Sequence, residues 1–391
     1  MKQAVILAAG EGQRLRPFTV NKPKVMLSIA GRPILQYVIE ALAQNGIRHI
    51  LLIVGYRKEH IFDWLGSGEQ FGVDITYKTQ DIQLGTANAL CQAQEILGTE
   101  FLVLPGDNVI EAATIARFVN AKPEAVLVKK VDNPTRYGVV TIEAGTLTNI
   151  VEKPKLSKTG TINTGIYAFT DRIFNFIDDK LDIPDALNDM LSQGYGINTL
   201  ETADTWLDIV YPWDILSLND VVLRRIPAEL GGTIDSNASL KGQVSVGNNT
   251  VIRSNCYISG PVAIGSGCDI GPNVCILPAT SIGDNVVISS FTGIENSVIG
   301  SDVDIGPGCI IQDSVIDSGC TIKGRFTACS GQTEIKIDNE HHMTHVGAML
   351  GEGCNLGSSV VAQPGVIVGN YSRIEALKLI SGRLLDKSLV L

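Results

Sequence analysis

No uninterrupted apolar run in the 391-residue chain approaches the ~20 residues that a membrane-crossing helix needs. A bilayer protein of the helical kind is therefore not expected. The opening MKQAVILAAG breaks its apolar stretch at Gly10 and offers no cleavable signal pattern, so the expectation is a cytoplasmic protein. Cations are in deficit, 31 against 41 acidic side chains, for a net charge of −10. That balance argues against nucleic acid as a partner. No Cys-x-x-Cys pair occurs among the eight cysteines, so the usual zinc and redox spacings are missing. What the chain does have is 45% apolar residues, 18% charged residues and 40 glycines, the composition of a globular protein rather than a disordered or collagen-like one. Its length predicts two packed units.

The first half alternates strand-like and helix-like patterns. Ala4–Ala8, Ile50–Val54, Val73–Tyr77 and Phe101–Leu104 are short strand-type runs, mostly apolar. Between them, Pro33 opens a helical stretch with Ile34, Leu35, Val38, Ile39 and Leu42 on one face and Asn45-Gly46 as its stop; residues 58–65 and 87–96 read as further helices. Apolar strands alternating with helices imply a parallel sheet covered on both faces. Ligands of such sheets gather at the carboxyl ends of the strands, where Gly10 and Asp107 stand.

The second half obeys a period of six. From Ile234 an aliphatic residue recurs through Leu240, Val246, Ile252, Ile258, Ile264, Ile270, Ile276, Ile282, Ile288 and Ile294, with a small side chain four residues after each of the first ten, Ala238 through Thr292. This is the mark of a parallel β-helix, with each hexad forming one face of a prism. The register slips at Ile299 and again at Ile316, is lost after Ile322, and resumes at Leu350. The stretch from about Arg325 to His345 is expected to leave the prism as an arm, and long insertions of this kind are usually functional. Cys256, Cys268, Cys309, Cys320 and Cys354 fall at inward small positions, where a thiol packs as a small hydrophobe. Leu216 to Val222 reads as a connecting helix.

Residues 7–27 read LAAGEGQRLRPFTVNKPKVML. A glycine turn after a strand lets backbone N–H groups approach phosphate oxygens, and Arg14, Arg16, Lys22 and Lys24 surround it with cations against the single acid Glu11. A phosphate site and a solvated surface loop both fit this string taken alone.

The whole string resembles the signature of the sugar-1-phosphate nucleotidylyltransferases, and further pieces of that family's pattern follow in order: TQDIQLGTANAL, LPGDN, NPTRYGVV, IVEKP, INTGIY and TWLDIVYPWD. The resemblance implies a Rossmann-like, mostly parallel α/β nucleotidyltransferase domain over residues 1–228. It assigns Gly10, Gly12, Gln80, Gly85 and Thr86 to nucleotide binding, Gly138, Glu152, Lys153 and Asn163 to the sugar, and Asp107 and Asp208 to Mg²⁺. Arg14 would hold the β- and γ-phosphates and Lys24 the α-phosphate and the sugar phosphate. The implied reaction moves a nucleotidyl group from UTP or dTTP to a hexose 1-phosphate and releases pyrophosphate. The attacking phosphate monoester is already ionised at neutral pH, so no general base is required. His49 and His60 read as structural.

The order of the two halves resembles bifunctional enzymes that acetylate glucosamine 1-phosphate with acetyl-CoA and then uridylylate the product; this implies a left-handed β-helix over residues 229–391 and a trimer. Lys153 leans instead toward glucose-1-phosphate thymidylyl relatives. The acetyl-transfer site of the bifunctional enzymes carries a histidine and, three residues on, a tyrosine, and here Ser289-Ser290-Phe291-Thr292-Gly293 has neither. The histidines of this half, His341, His342 and His345, lie in the arm, where acyl transfer, metal binding and no chemistry at all are each open. A non-catalytic scaffold relative is the third reading.

Overall fold

Strand composition decides the layering of the first half. The computed structural model describes residues 1–157, 159–177 and 179–391. In chain order its first part runs β1 (Gln3–Ala8), α1 (Ile34–Gln44), β2 (His49–Val54), α2 (Glu59–Leu65), β3 (Asp74–Thr79), α3 (Thr86–Cys91), β4 (Glu100–Pro105), β5 (Asn108–Ile110) and α4 (Ala112–Val119). There follow β6 (Ala125–Lys130), β7 (Gly138–Glu143), β8 (Thr146–Glu152), β9 (Thr161–Thr170), α5 (Ile183–Ser192), β10 (Asn198–Thr202) and β11 (Trp206–Asp208). Nine strands form one sheet in the order β3-β2-β1-β4-β9-β6-β10-β8-β7. The four strands from β3 to β4 are parallel, β9 runs antiparallel to its neighbours β4 and β6, and β7 and β8 close the far edge as a hairpin.

Alternation along each strand sends side chains to opposite faces. Ala4, Ile6 and Ala8 pack with Leu35, Val38 and Leu42 of α1 and with Ile115 and Phe118 of α4. Val5, Leu51 and Ile53 pack with Ala87 and Leu90 of α3 and with Ile183, Leu187 and Met190 of α5. Helices thus cover both faces, which is why the inner strands are apolar throughout. Helix α3 stops at Cys91, shorter than the 87–96 pattern implied, and turns carry the chain on to Leu97.

By internal contacts the chain divides into two units, Met1–Glu11, Lys22–Met26 and Ile34–Asp208 in one and Gly12–Asn21, Leu27–Pro33 and Ile209–Leu391 in the other. The second unit is a parallel β-helix of three sheets with nine, eight and eight strands. Ile252 lies beside Ile270 and Ile270 beside Ile288, so three hexads complete a turn. Ile288 pairs with Ile305 and Ile305 with Ile322, each step one residue shorter, and these short turns are the slips seen at Ile299 and Ile316. Corners fall at left-handed residues, among them Asn249, Asn255, Asn273, Asn285 and Asp302, a conformation that Asn and Asp accept more readily than most. The aliphatic positions form one continuous core that takes in the five thiols.

The three outer faces differ. One presents mostly polar side chains such as Asp269, Asp304, Asn355 and Arg373. A second buries its outward residues Ser281, Val298, Val315, Met349 and Ile367. Helix α6 (Asp214–Leu223) packs on that face, where Asn219 donates to the Ala279 carbonyl at 2.9 Å and accepts from Ser281 Oγ at 2.7 Å. The third leaves Tyr257, Ile310 and Leu379 exposed along one row. The arm is narrower than Arg325 to His345: coil continues through Ala328, and a hairpin of Gly331–Ile337 with Glu340–Val346 leaves after it. Among the described residues no helix is long and apolar enough to cross a membrane.

Candidate active site

At the carboxyl edge of the parallel strands, β4 ends and Asp107 follows. The next residues, β5, pair antiparallel with β11, which sets Asp208 directly opposite Asn108. This small ladder explains why two aspartates so distant in sequence meet. Lys24 Nζ lies 3.1 Å from Asp208 Oδ1 and forms an ion pair with Asp107 Oδ2. All three side chains are mostly buried, at 17%, 23% and 18% exposure for Lys24, Asp107 and Asp208. Burial pulls the Lys24 ammonium down, but attraction from Asp107 and Asp208 outweighs it and holds the group protonated, above its usual range. Asn108, with its amide oriented to suit both neighbours, donates to Asp107 Oδ1 at 3.2 Å and accepts from the Trp206 indole at 2.9 Å. The LPGDN string pointed to Asp107 alone; the supporting role of Asn108 comes from the ladder.

The three charged groups together carry one net negative charge, and both carboxylates already share a single cation. Their hard oxygen donors fit Mg²⁺, which commonly takes one or two protein carboxylates and fills its shell with phosphate and water. Among the described residues no cluster of three or more His, Cys, Asp or Glu could form a closed protein cage.

Gly10 leaves β1 with open space where a side chain would begin. Gly12 adopts a left-handed conformation, φ 77° and ψ 48°, and its carbonyl accepts from Thr19 Oγ1 at 2.8 Å and Leu15 N at 2.9 Å. In the second unit, Arg14 donates through Nε to Asp338 Oδ2 at 2.8 Å. That hydrogen bond, against a smaller burial cost, raises the pKa of the guanidinium, with Tyr211 and Glu340 adding to the effect. Nothing in the sequence pattern had pointed to Asp338.

Gln80 is buried, and its amide nitrogen is fixed by Gly85 O at 3.1 Å and Asn88 Oδ1 at 2.8 Å. Gly85 has φ 132°, and a Cβ there would stand 2.3 Å from the Leu181 carbonyl oxygen, so only glycine fits. Thr86 is committed locally: its backbone N–H and hydroxyl both donate to Asp182 Oδ1 at 3.0 Å, and the hydroxyl accepts from Ile183 N at 3.0 Å. Thr86 and Asp182 thereby tie the starts of α3 and α5 together. Asp182 is another residue the sequence reading missed.

The β7–β8 hairpin pairs Gly138 with Glu152, and a Cβ on Gly138 would sit 2.7 Å from Glu152 Oε2 and 3.6 Å from Asn163 Cβ. These three residues, expected at the sugar, therefore converge. Burial raises the Glu152 pKa above the usual carboxylate range, and Lys153, 3.6 Å away, partly opposes it. Asn163 donates to Tyr167 Oη at 2.7 Å and accepts from Gly165 N at 2.9 Å. Lys153 itself is exposed at a left-handed residue of φ 42°.

The arm histidines do not meet at a point. His341 pairs with Glu334 at 3.2 Å, His342 sits against the Tyr211 and Trp213 rings, and His345 contacts Ser330 Oγ at 2.9 Å. Each has its own partners, and none of these is shared.

Two carboxylates around one lysine at the carboxyl edge of a parallel sheet make an arrangement suited to nucleotidyl or phosphoryl transfer. The comparisons give the family. The nucleotidyl transferase family model matches residues 3–224, and that of the GMPPB C-terminal domain matches residues 258–333. The chain is 34% identical to the bifunctional protein GlmU of Methanococcus maripaludis over 99% of its own length and 96% of the relative's. It is 31% identical to the bifunctional sugar-1-phosphate nucleotidylyltransferase/acetyltransferase of Sulfurisphaera tokodaii, over 95% of each. A solved structure from Bacillus anthracis, described as a glucose-1-phosphate thymidylyltransferase in complex with a sucrose, matches with a TM-score of 0.53 and 31% identity over 58% of this chain and 97% of that one. The chain belongs to the nucleotidyl transferase family and is an enzyme of the sugar-1-phosphate nucleotidyltransferase class.

Proposed function

We propose that the enzyme transfers a nucleotidyl group from UTP or dTTP to N-acetylglucosamine 1-phosphate or glucose 1-phosphate and releases pyrophosphate. The observation that carries this reading is the placement of Lys24 between Asp107 and Asp208. Asp107 and Asp208 would hold Mg²⁺, which when bound supplies positive charge at the α-phosphate. Lys24, kept protonated by the two carboxylates, neutralises the α-phosphate and the incoming sugar phosphate. Gly10 and Gly12 bring backbone N–H groups to the phosphates, and Arg14 takes the β- and γ-phosphates that depart. Gln80, its amide nitrogen already bonded to Gly85 and Asn88, has its carbonyl left to read the base edge. Glu152, Asn163 and Gly138 accommodate the sugar, with Lys153 at the rim. Thr86 acts through the shape of this base-side wall. The proton balance needs no base, because the attacking oxygen belongs to an ionised phosphate.

A panel of nucleoside triphosphates against the two sugar phosphates, read as pyrophosphate formed with Mg²⁺ present, tests the proposal. Turnover with UTP or dTTP supports it, and no turnover with any pair overturns it.

The exposed row through Tyr257, Ile310 and Leu379 favours assembly of the β-helix with further copies, as a trimer. Acetyl transfer is a second reading. The name of the Sulfurisphaera tokodaii relative, a nucleotidylyltransferase/acetyltransferase, supports it, as does the exposed His345 imidazole beside Ser330. Release of free CoA from acetyl-CoA and glucosamine 1-phosphate tests it.

A further inference from the structure

Arg14 is a phosphate-binding candidate whose side chain is held by a residue the sequence pattern did not mark. Its partner Asp338 sits at the tip of the hairpin of Gly331–Ile337 and Glu340–Val346. The tip is a two-residue turn, with Asp338 at φ 51° and Asn339 at φ 64°, the tight left-handed kind that suits twisted hairpins.

The hairpin is anchored along its length. Ile335 and Ile337 are buried, and Ile335 packs against the left-handed corner at Gly365. His342 lies with its ring centroid 4.3 Å from that of Tyr211, which itself stacks on Trp213 at 4.9 Å and 16°. Tyr211 Oη is 3.4 Å from Glu340 Oε2, and His345 bonds Ser330 at the base. All of these residues, Arg14 included, belong to the second unit. A tip fixed at so many points delivers the Asp338 carboxylate to a defined place.

The ion pair is exposed, 39% at Arg14 and 56% at Asp338, and pairs of that kind contribute little to stability. Its geometry has a clearer consequence. The bond is made through Nε, so it restrains the rotation of the guanidinium and leaves N–H groups of the terminal nitrogens for a further anion. A free arginine loses much rotamer freedom when it binds a phosphate; one already held does not.

We propose that Asp338 is a positioning residue for nucleotidyl transfer, holding Arg14 in the orientation in which its terminal N–H groups meet the triphosphate. Asp338 thereby contributes to nucleotide affinity through Arg14, although it touches no reacting atom. This rests on the reading of Arg14 as a triphosphate ligand.

The test is steady-state kinetics of the full-length enzyme, varying the nucleoside triphosphate and reading pyrophosphate, for Asp338→Asn, Asp338→Glu, Arg14→Ala and the Arg14→Ala/Asp338→Asn double variant. Asp338→Asn is expected to raise KM for the triphosphate about three- to tenfold with little change in kcat or in KM for the sugar phosphate. Asp338→Glu should recover part of the loss, and Asp338→Asn should add nothing on the Arg14→Ala background. Near-UV circular dichroism of the Tyr211–Trp213–His342 cluster should be unchanged in Asp338→Asn, which separates a positioning effect from a lost hairpin. An unchanged or lowered KM in Asp338→Asn, or a loss that adds fully to that of Arg14→Ala, overturns the proposal; a lowered KM would mean that Asp338 competes with the nucleotide. If Arg14→Ala alone leaves triphosphate kinetics unchanged, the assignment of Arg14 fails instead.

Discussion

The two units handle polarity inside protein in opposite ways. In the β-helix the core is mostly aliphatic side chains and thiols, and several of its buried hydroxyls are neutral groups answered by the backbone: Thr250 donates to Gly265 O at 2.6 Å and accepts from Cys268 N at 3.0 Å. At the edge of the α/β sheet these mostly buried groups are charged and answered by one another, Lys24 by Asp107 and Asp208. Neutral hydrogen bonds settle a fold at low desolvation cost, whereas buried charges are expensive unless paired and return little net stability. On the proposed mechanism charge is concentrated where the reaction redistributes it, and the prism interior is built for stacking.

The sharpest break of this contrast is at the charged cluster. Asp107→Asn or Lys24→Ala should lower turnover by on the order of 10²–10³-fold, the scale of losing a single transition-state charge contact. Near wild-type pyrophosphate release by either variant would remove that residue from the mechanism.

Glu152 sharpens it on the sugar side. Its carboxyl is raised by burial, so the native state binds this proton more tightly than the unfolded chain does. Stability from this group is therefore present at low pH and is lost as pH rises through the raised pKa. Glu152→Gln should flatten the pH dependence of the unfolding midpoint between the ordinary carboxylate range and that raised value. The same variant should raise KM for the sugar phosphate about tenfold, the scale of a charged hydrogen bond. An unfolding profile identical to wild type would contradict the assignment.

In the prism the effect should be purely structural. Ile270→Val in the fully buried core should cost about 0.5–1.5 kcal/mol by denaturant unfolding while turnover per folded molecule stays level. A parallel fall in kcat would mean that the core is coupled to chemistry. The smallest effect on turnover, less than about twofold, is expected from Ile310→Asp on the exposed apolar row, which should nevertheless reduce the sedimentation coefficient to that of a monomer. An unchanged assembly would locate the interface elsewhere.

Much of this was legible in the sequence because it is periodic or local. The hexads from Ile234 to Ile294 map onto the turns of the prism, since one aliphatic per face is what the coil needs. The slips at Ile299 and Ile316 are one-residue deletions, visible because a strict period exposes them. Gly85 could be singled out from the family-like string, and its close approach to Leu181 supplies the physical reason. What could not be read was contact without period. Asn108 gains its place from the pairing of β5 with β11, Asp182 from the meeting of two helix starts, and Asp338 from the tip of an inserted hairpin. Each is a single polar residue whose partner lies far away in the chain, and no local pattern announces it.

The central claim, that Asp107, Asp208 and Lys24 manage charge at one phosphorus, is tested most directly by Asp208→Asn in a pyrophosphate-release assay titrated with Mg²⁺ at saturating UTP or dTTP and sugar phosphate. Maximal turnover is expected to fall by on the order of 10²-fold, with a higher Mg²⁺ concentration for half-activity. Wild-type turnover at an unchanged Mg²⁺ requirement would contradict the claim.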